Sequence, residues 1–279
     1  TTGGGTVTVN ESGTATLVAA GDIMADGAVS LTATGGITTA GDITTTDDNV
    51  TYASATTLSG PVSVSTGAVG AGNINFSSTI TGTQDLTLLA GTGNITVTGD
   101  VGATRLGVLT ITSGGVVAFQ GAGTQQAASL AVTTTTSTTF TGNVNLTNGV
   151  SLAAGAGNGS FLNGLTAGAA STFANTGSLQ LGDAAADVTS LTGALTHTAG
   201  VTSLGGTITA PTGATFAVAT INSDNILNTT NSAVAFTSTI DSDALETNDL
   251  TVNTGTAATT ISGVIGGAVN GELGTLTIN

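Results

Sequence analysis

Few residues in this chain could do chemistry. His197 is its only histidine, so any nucleophile–base relay among its many hydroxyls would have to pass through that ring. It stands two residues after Leu195, in a slot that Ile111, Val132 and Val218 occupy elsewhere and that Asn175 occupies one repeat earlier. Apolar residues fill the slot in most repeats. The pattern therefore places Asn175 and His197 together inside the fold, joined directly or through a water, because buried polar groups need partners. On that reading His197→Val restores the usual residue type and is tolerated. Arg105 is the only strong cation.

The 16 acidic residues allow two further chemistries. Glycoside cleavage uses two carboxylates facing each other across a sugar cleft. Such clefts also want aromatic platforms, and here aromatics are 3% with no Trp. Calcium takes hard oxygen donors, and Asp241, Asp243, Glu246 and Asp249, or Asp47 with Asp48, are the candidates. Neither the glycine-rich calcium nonapeptide nor the twelve-residue calcium loop is present. The carboxylates read as solvated loop residues, so no catalytic residue, metal ligand or cofactor is assigned, and the chain is expected not to be an enzyme. Sequons at Asn10, Asn49, Asn75, Asn94, Asn145, Asn158 and Asn228 are what chance yields in a chain so rich in Thr and Ser.

The elements that carry these residues follow from composition. Only 6% of residues are charged, the net charge is −15, and 39% are hydrophobic, with 43 Gly and 2 Pro. Disordered chains lack that much apolar residue. The helix formers Lys, Arg, Glu and Gln are scarce, while Thr, Val and Ile suit a pleated, half-buried strand. A lone cation cannot displace phosphate counterions, so nucleic acid is excluded as a partner. No apolar run is long enough to span a membrane as a helix. With no cysteine there is no disulfide framework.

Internal spacing identifies the fold. Leu109, Leu130, Leu152, Phe173, Leu195 and Phe216 recur at intervals of 21 or 22, and Phe119, Phe140 and Phe161 at 21. Around them the pattern alternates, as in Leu109-Thr110-Ile111-Thr112, with apolar residues on one face and Thr on the other. Gly-rich corners follow, such as Ser113-Gly114-Gly115. A set of strands about 21 residues long cannot bury its own apolar face, but coils stacked like with like can. The expected fold is all-β, a parallel β-helix (β-solenoid) with coils of about 21–22 residues over 1–279 as one segment. Regularity is lower in 1–80, and after Phe216 the acidic stretch 241–249 reads as an extruded loop.

The segments AAGDIMADGAVSLTATGGITTAGDI (19–43) and DLTLLAGTGNITVTGDV (85–101) resemble the repeats of filamentous-haemagglutinin-like adhesins. They are also similar to bacterial β-strand-repeat surface proteins and to autotransporter-type passengers. The resemblance implies a right-handed helix, a place outside the cell on a bacterial surface, and a role in adhesion, biofilm matrix or an extended fibre. The segment 259–278 echoes 95–111 and stops where the earlier copy continues. That leads us to expect covalent continuation in a longer repeat protein, or end-to-end self-association. The expected function is a non-enzymatic extracellular shaft, fibre or filament. The alternative is an adhesin module with a surface glycan or protein receptor, and calcium-dependent matrix and ice-binding roles are lesser ones. Ice binding needs an unbroken Thr array, whereas the outward residues after the ladder positions are Thr110, Ala131, Ala153, Ala174, Thr196 and Ala217.

Overall fold

A computed structural model describes residues 4–244 and 246–279. Among these residues all regular structure is β, and the strands pair in parallel from coil to coil as a β-solenoid. The chain clusters into two compact units, Thr1–Gly142 and Asn143–Asn279.

In the first unit the alternation predicted from sequence sets the faces. The strand Val29–Ala33 alternates buried and open positions, Val29, Leu31 and Ala33 pointing inward. On one face Val7, Val29, Val50, Ile74, Ile95, Val117 and Thr138 form a column, with steps of 22, 21, 24, 21, 22 and 21 residues. Beside it runs Val9, Leu31, Tyr52, Phe76, Val97, Phe119 and Phe140. Tyr52 lies on Phe76, and Phe119 on Phe140, each pair with ring centroids 4.5 Å apart and planes within 10°. That is close to the natural spacing of neighbouring strands, so parallel pairing stacks the rings without strain. A second face carries Ala15, Ile37, Thr56 and Ile80. A third carries Ile43, Val64, Leu88, Ile111 and Val132, with Leu86, Leu109 and Leu130 alongside.

Corners are closed by small and hydrogen-bonding residues. Gly102 has φ 81°, and a Cβ there would lie 2.1 Å from the Gln126 carbonyl oxygen, so no other residue fits. Asp and Asn side chains reach one coil onward and accept from the backbone. Asp42 N–H donates to Asp22 (2.9 Å), Ser63 N–H to Asp42 (2.7 Å) and Val108 N–H to Asp85 (2.7 Å). At another corner Asn73 N–H donates to Asn49 (2.7 Å), Asn94 N–H to Asn73 (2.8 Å) and Val116 N–H to Asn94 (2.9 Å). These side chains satisfy N–H groups that the turns leave outside the ladder.

The second unit keeps parallel pairing with less uniform coils. Val144, Leu165, Thr189, Ile208, Leu227, Val252 and Ile278 form one column with steps of 21, 24, 19, 19, 25 and 26 residues. The predicted series holds from Leu152 to Phe173, but Leu195 pairs with Ala214, and Phe216 pairs with His197. The reason is the short coil. When a turn is 19 residues long, a spacing of 21 marks the next inward position along the strand. Of the stretch 241–249, Asp241 and Ser242 belong to the strand Ile240–Ser242, with Ser242 buried, and the turn begins after them; Leu245 lies outside the described residues. Asn253 donates its amide to Asn228 (2.8 Å), and Asn279 to Asn253 (2.9 Å), a stacked amide ladder across three coils.

Tyr52 tests how tightly the interior is matched. Its ring is fully buried, yet its hydroxyl has no hydrogen-bond partner. The neighbouring Thr39 hydroxyl donates to the Gly41 carbonyl (3.1 Å). Burial, and then the charge of Asp42, hold the phenol well above the ordinary tyrosine value. Tyr52→Phe keeps the stacked ring and removes an unsatisfied polar atom, so it is expected to stabilise the chain by about 1 kcal/mol. A higher denaturant midpoint at unchanged slope is the measurement.

Candidate functional site

The most distinctive place in the second unit is an interruption of the ladder. Among the described residues, parallel pairing joins strand to strand on each face of the unit, except where Thr172–Phe173 meets the start of Leu195–Thr209. The two segments are neighbours but share no pairing register. Over this seam lies an open groove of about 590 Å³, lined by Ala170, Ser171, Thr172, Ala174, Thr196 and Thr198 among others.

His197 sits beneath the groove at 0% exposure, as does Asn175. The imidazole Nε2 is 3.1 Å from the Asn175 carbonyl oxygen in the preceding coil, and Nδ1 is 2.8 Å from the Thr202 hydroxyl. These contacts identify the tautomer. Nε2–H donates to the carbonyl, and Nδ1 accepts from Thr202. The side chain thus supplies a cross-coil hydrogen bond where backbone pairing is missing. The expected pairing of Asn175 with His197 is present, but it runs through the Asn175 backbone rather than its amide. The Asn175 amide turns the other way, donating to the carbonyls of Gly157 (3.0 Å) and Ser178 (3.1 Å), and its Oδ1 is buried without a partner. Burial pushes the imidazole below the ordinary histidine range, against the opposing effect of the Asn175 and Gly177 backbone.

The other residues singled out by type are engaged with neighbouring coils or with their own turn. Arg105 donates to the Ala127 carbonyl (3.0 Å) and to Gln126 Oε1 (3.1 Å). The carboxylates of 241–249 diverge: Asp241 accepts from Ala268 N–H (3.0 Å), Asp243 from Ala244 N–H (2.9 Å) and Glu246 from the Asn248 amide (3.4 Å), while Asp249 offers its own N–H to Asp224 (2.9 Å). Among the described residues no three His, Cys, Asp or Glu side chains converge on one point. Asp42 and Asp85 line a second, smaller groove of about 260 Å³ with Pro61, Val62, Ser63 and Thr87, but both accept backbone N–H groups, as described above. Four of the sequon residues, Asn49, Asn94, Asn158 and Asn228, likewise accept from the following coil.

Two features escaped the sequence. Asp187 is buried and accepts from the N–H groups of Asp183 and Ala184, both at 2.8 Å. Burial, and then the nearby Asp187, raise the Asp183 carboxyl above its ordinary value. Thr16, Thr38, Thr57 and Thr81 form an outward Thr column on the second face of the first unit. The repeated T-x-T-like triplets there are the signal that could have found it. Gly36 and Ala55 precede two of those strands, so the column is one hydroxyl wide. No family model, curated protein or solved structure matches the chain.

Removing the imidazole strands two buried groups, the Thr202 hydroxyl and the Asn175 carbonyl. His197→Val is therefore expected to cost about 2–4 kcal/mol, the reverse of what the apolar slot suggests. The wild-type contribution also depends on pH. Because the folded-state pKa is lowered, it is complete above the ordinary histidine value and declines as pH falls below it. Denaturant unfolding of both proteins across that range checks the loss and its sign.

Proposed function

We propose that this chain is a non-enzymatic structural β-solenoid of the extracellular bacterial surface, serving as a segment of shaft, fibre or filament. One observation carries the reading. The groups that would do chemistry elsewhere, namely the lone imidazole, the lone guanidinium and the corner carboxylates and amides, are used here to bond one coil to the next. The repeat style of 19–43 and 85–101 supports it through the resemblance to filamentous-haemagglutinin-like, β-strand-repeat and autotransporter-type proteins. Among the described residues no helix is long and apolar enough to cross a membrane. Each coil offers parallel N–H and C=O groups to a further coil, which suits end-to-end association or covalent continuation in a larger chain.

A second reading is an adhesin module with a glycan or protein receptor, and the groove over the seam favours it. The two readings separate in solution. A shaft segment should show sedimentation coefficients that rise with concentration and no saturable binding across a glycan panel. A monomer at every concentration with saturable, competable binding to one glycan would establish the adhesin, and turnover of a polysaccharide would defeat both.

Durability outside the cell gives an independent expectation. Arg105 is the only residue trypsin could recognise, and its guanidinium is held by the next coil. The native chain should resist trypsin, while the denatured chain should yield two fragments, 1–105 and 106–279. Gel electrophoresis with and without denaturant checks this.

A further inference from the structure

The seam has the parts of an acid-sensitive latch. We propose that His197, neutral, closes the gap between the 172–173 strand and the strand beginning at Leu195, and that its protonation opens this coil before the others. Elsewhere on that face backbone pairs hold adjacent strands, as Leu195 with Ala214 and Ala214 with Val234. At the seam the cross-coil bond is the imidazole's, from Nε2–H to the Asn175 carbonyl. A titratable side chain therefore stands where the rest of the fold uses an amide that does not titrate.

Protonation adds a hydrogen to Nδ1. The Thr202 hydroxyl can rotate to accept it, so the hydrogen-bond count is kept, but a full charge is now buried without a counter-ion. No carboxylate is positioned to supply one. The strands Val150–Leu152, Ala156–Phe161, Thr172–Phe173 and Leu179–Leu181 carry no ionisable side chain, and His197 is the only one on Leu195–Thr209. The strand Ala214–Asn228 carries Asp224, which is exposed and accepts from Asp249 N–H. Ahead of Val188–Leu191 stand Asp183 and Asp187, and Asp187 is bound to its own turn. The groove above the seam already admits solvent to the outer side. Separation of the two strands would let water reach the imidazolium with little else disturbed.

The sign follows from linkage. In the opened coil the imidazole regains its ordinary pKa, whereas in the closed coil it is lowered. The opening equilibrium should therefore rise about tenfold per pH unit between those two values and level off below the lower one.

Hydrogen exchange followed by mass spectrometry, corrected for the intrinsic pH dependence, tests this between pH ~7.5 and pH ~4.5, which span the ordinary histidine value. Segments 170–176 and 194–202 should lose protection at least tenfold more than coils of the first unit. His197→Gln keeps an amide donor and an acceptor without the titration and should abolish the difference. Because the chain has one histidine, its ring can also be titrated by NMR in the unaltered protein, and seam opening should follow that curve. Equal loss along all coils, the same loss in His197→Gln, or opening that tracks the carboxylate range instead of the imidazole would each overturn the proposal.

Discussion

Everything in this molecule depends on the hydrogen-bonded step from one coil to the next. A strand of three to five residues has almost no stability alone. Parallel pairing at the spacing of neighbouring strands gives each one partners above and below, and brings each inward side chain onto its counterpart. Stacked rings such as Phe119 on Phe140 and aliphatic columns such as Leu86, Leu109 and Leu130 follow from that one repeat distance. The interior can then be mostly apolar, with Thr, Asn and His at a minority of inward positions, and a chain with 6% charged residues can remain folded without ion-pair networks.

The same step explains where the polar residues went. Turns between the faces cannot all continue the ladder, so each corner leaves backbone donors to be satisfied. Asp and Asn are short enough to bend back from a turn and long enough to reach the next coil. The chain's net charge of −15 is thus partly a by-product of corner chemistry. Carboxylates at Asp22, Asp42 and Asp85 accept backbone hydrogen bonds there, much as Asn49, Asn73 and Asn94 do at another corner. Either residue type serves, because the acceptor oxygen is what the corner requires.

Against that regular background the seam at His197 is the exception with a chemical consequence. A backbone amide bonds its neighbour uncharged at any pH, whereas an imidazole that gains a proton carries a full charge into the same buried place. The strand beginning at Leu195 follows Thr172–Phe173 without a shared pairing register, while His197 still meets Asn175 of the preceding coil. The ring then spans what the backbone does not. One rung of the ladder is thereby a titratable side chain.

How much of this was legible in the sequence depended on whether spacing or corner geometry decided it. Strand faces followed from alternation, since inward and outward residues must differ in polarity, and the 21–22 residue period predicted the stacking of Leu109 on Leu130 and of Phe119 on Phe140. Asn175 and His197 were recognisable as an inward pair because they stand in apolar slots. The register of Phe216 on His197, the role of the Asn175 carbonyl and the engagement of the carboxylates were not recognisable. Each depends on how many residues a corner absorbs, and corners of different length look alike in a chain of Gly, Thr, Ala and Asp. Periodicity by itself determined which residues face inward; only the tertiary structure decided which of them meet, because register is the running sum of corner lengths, and a two-residue change keeps the face but exchanges the neighbour.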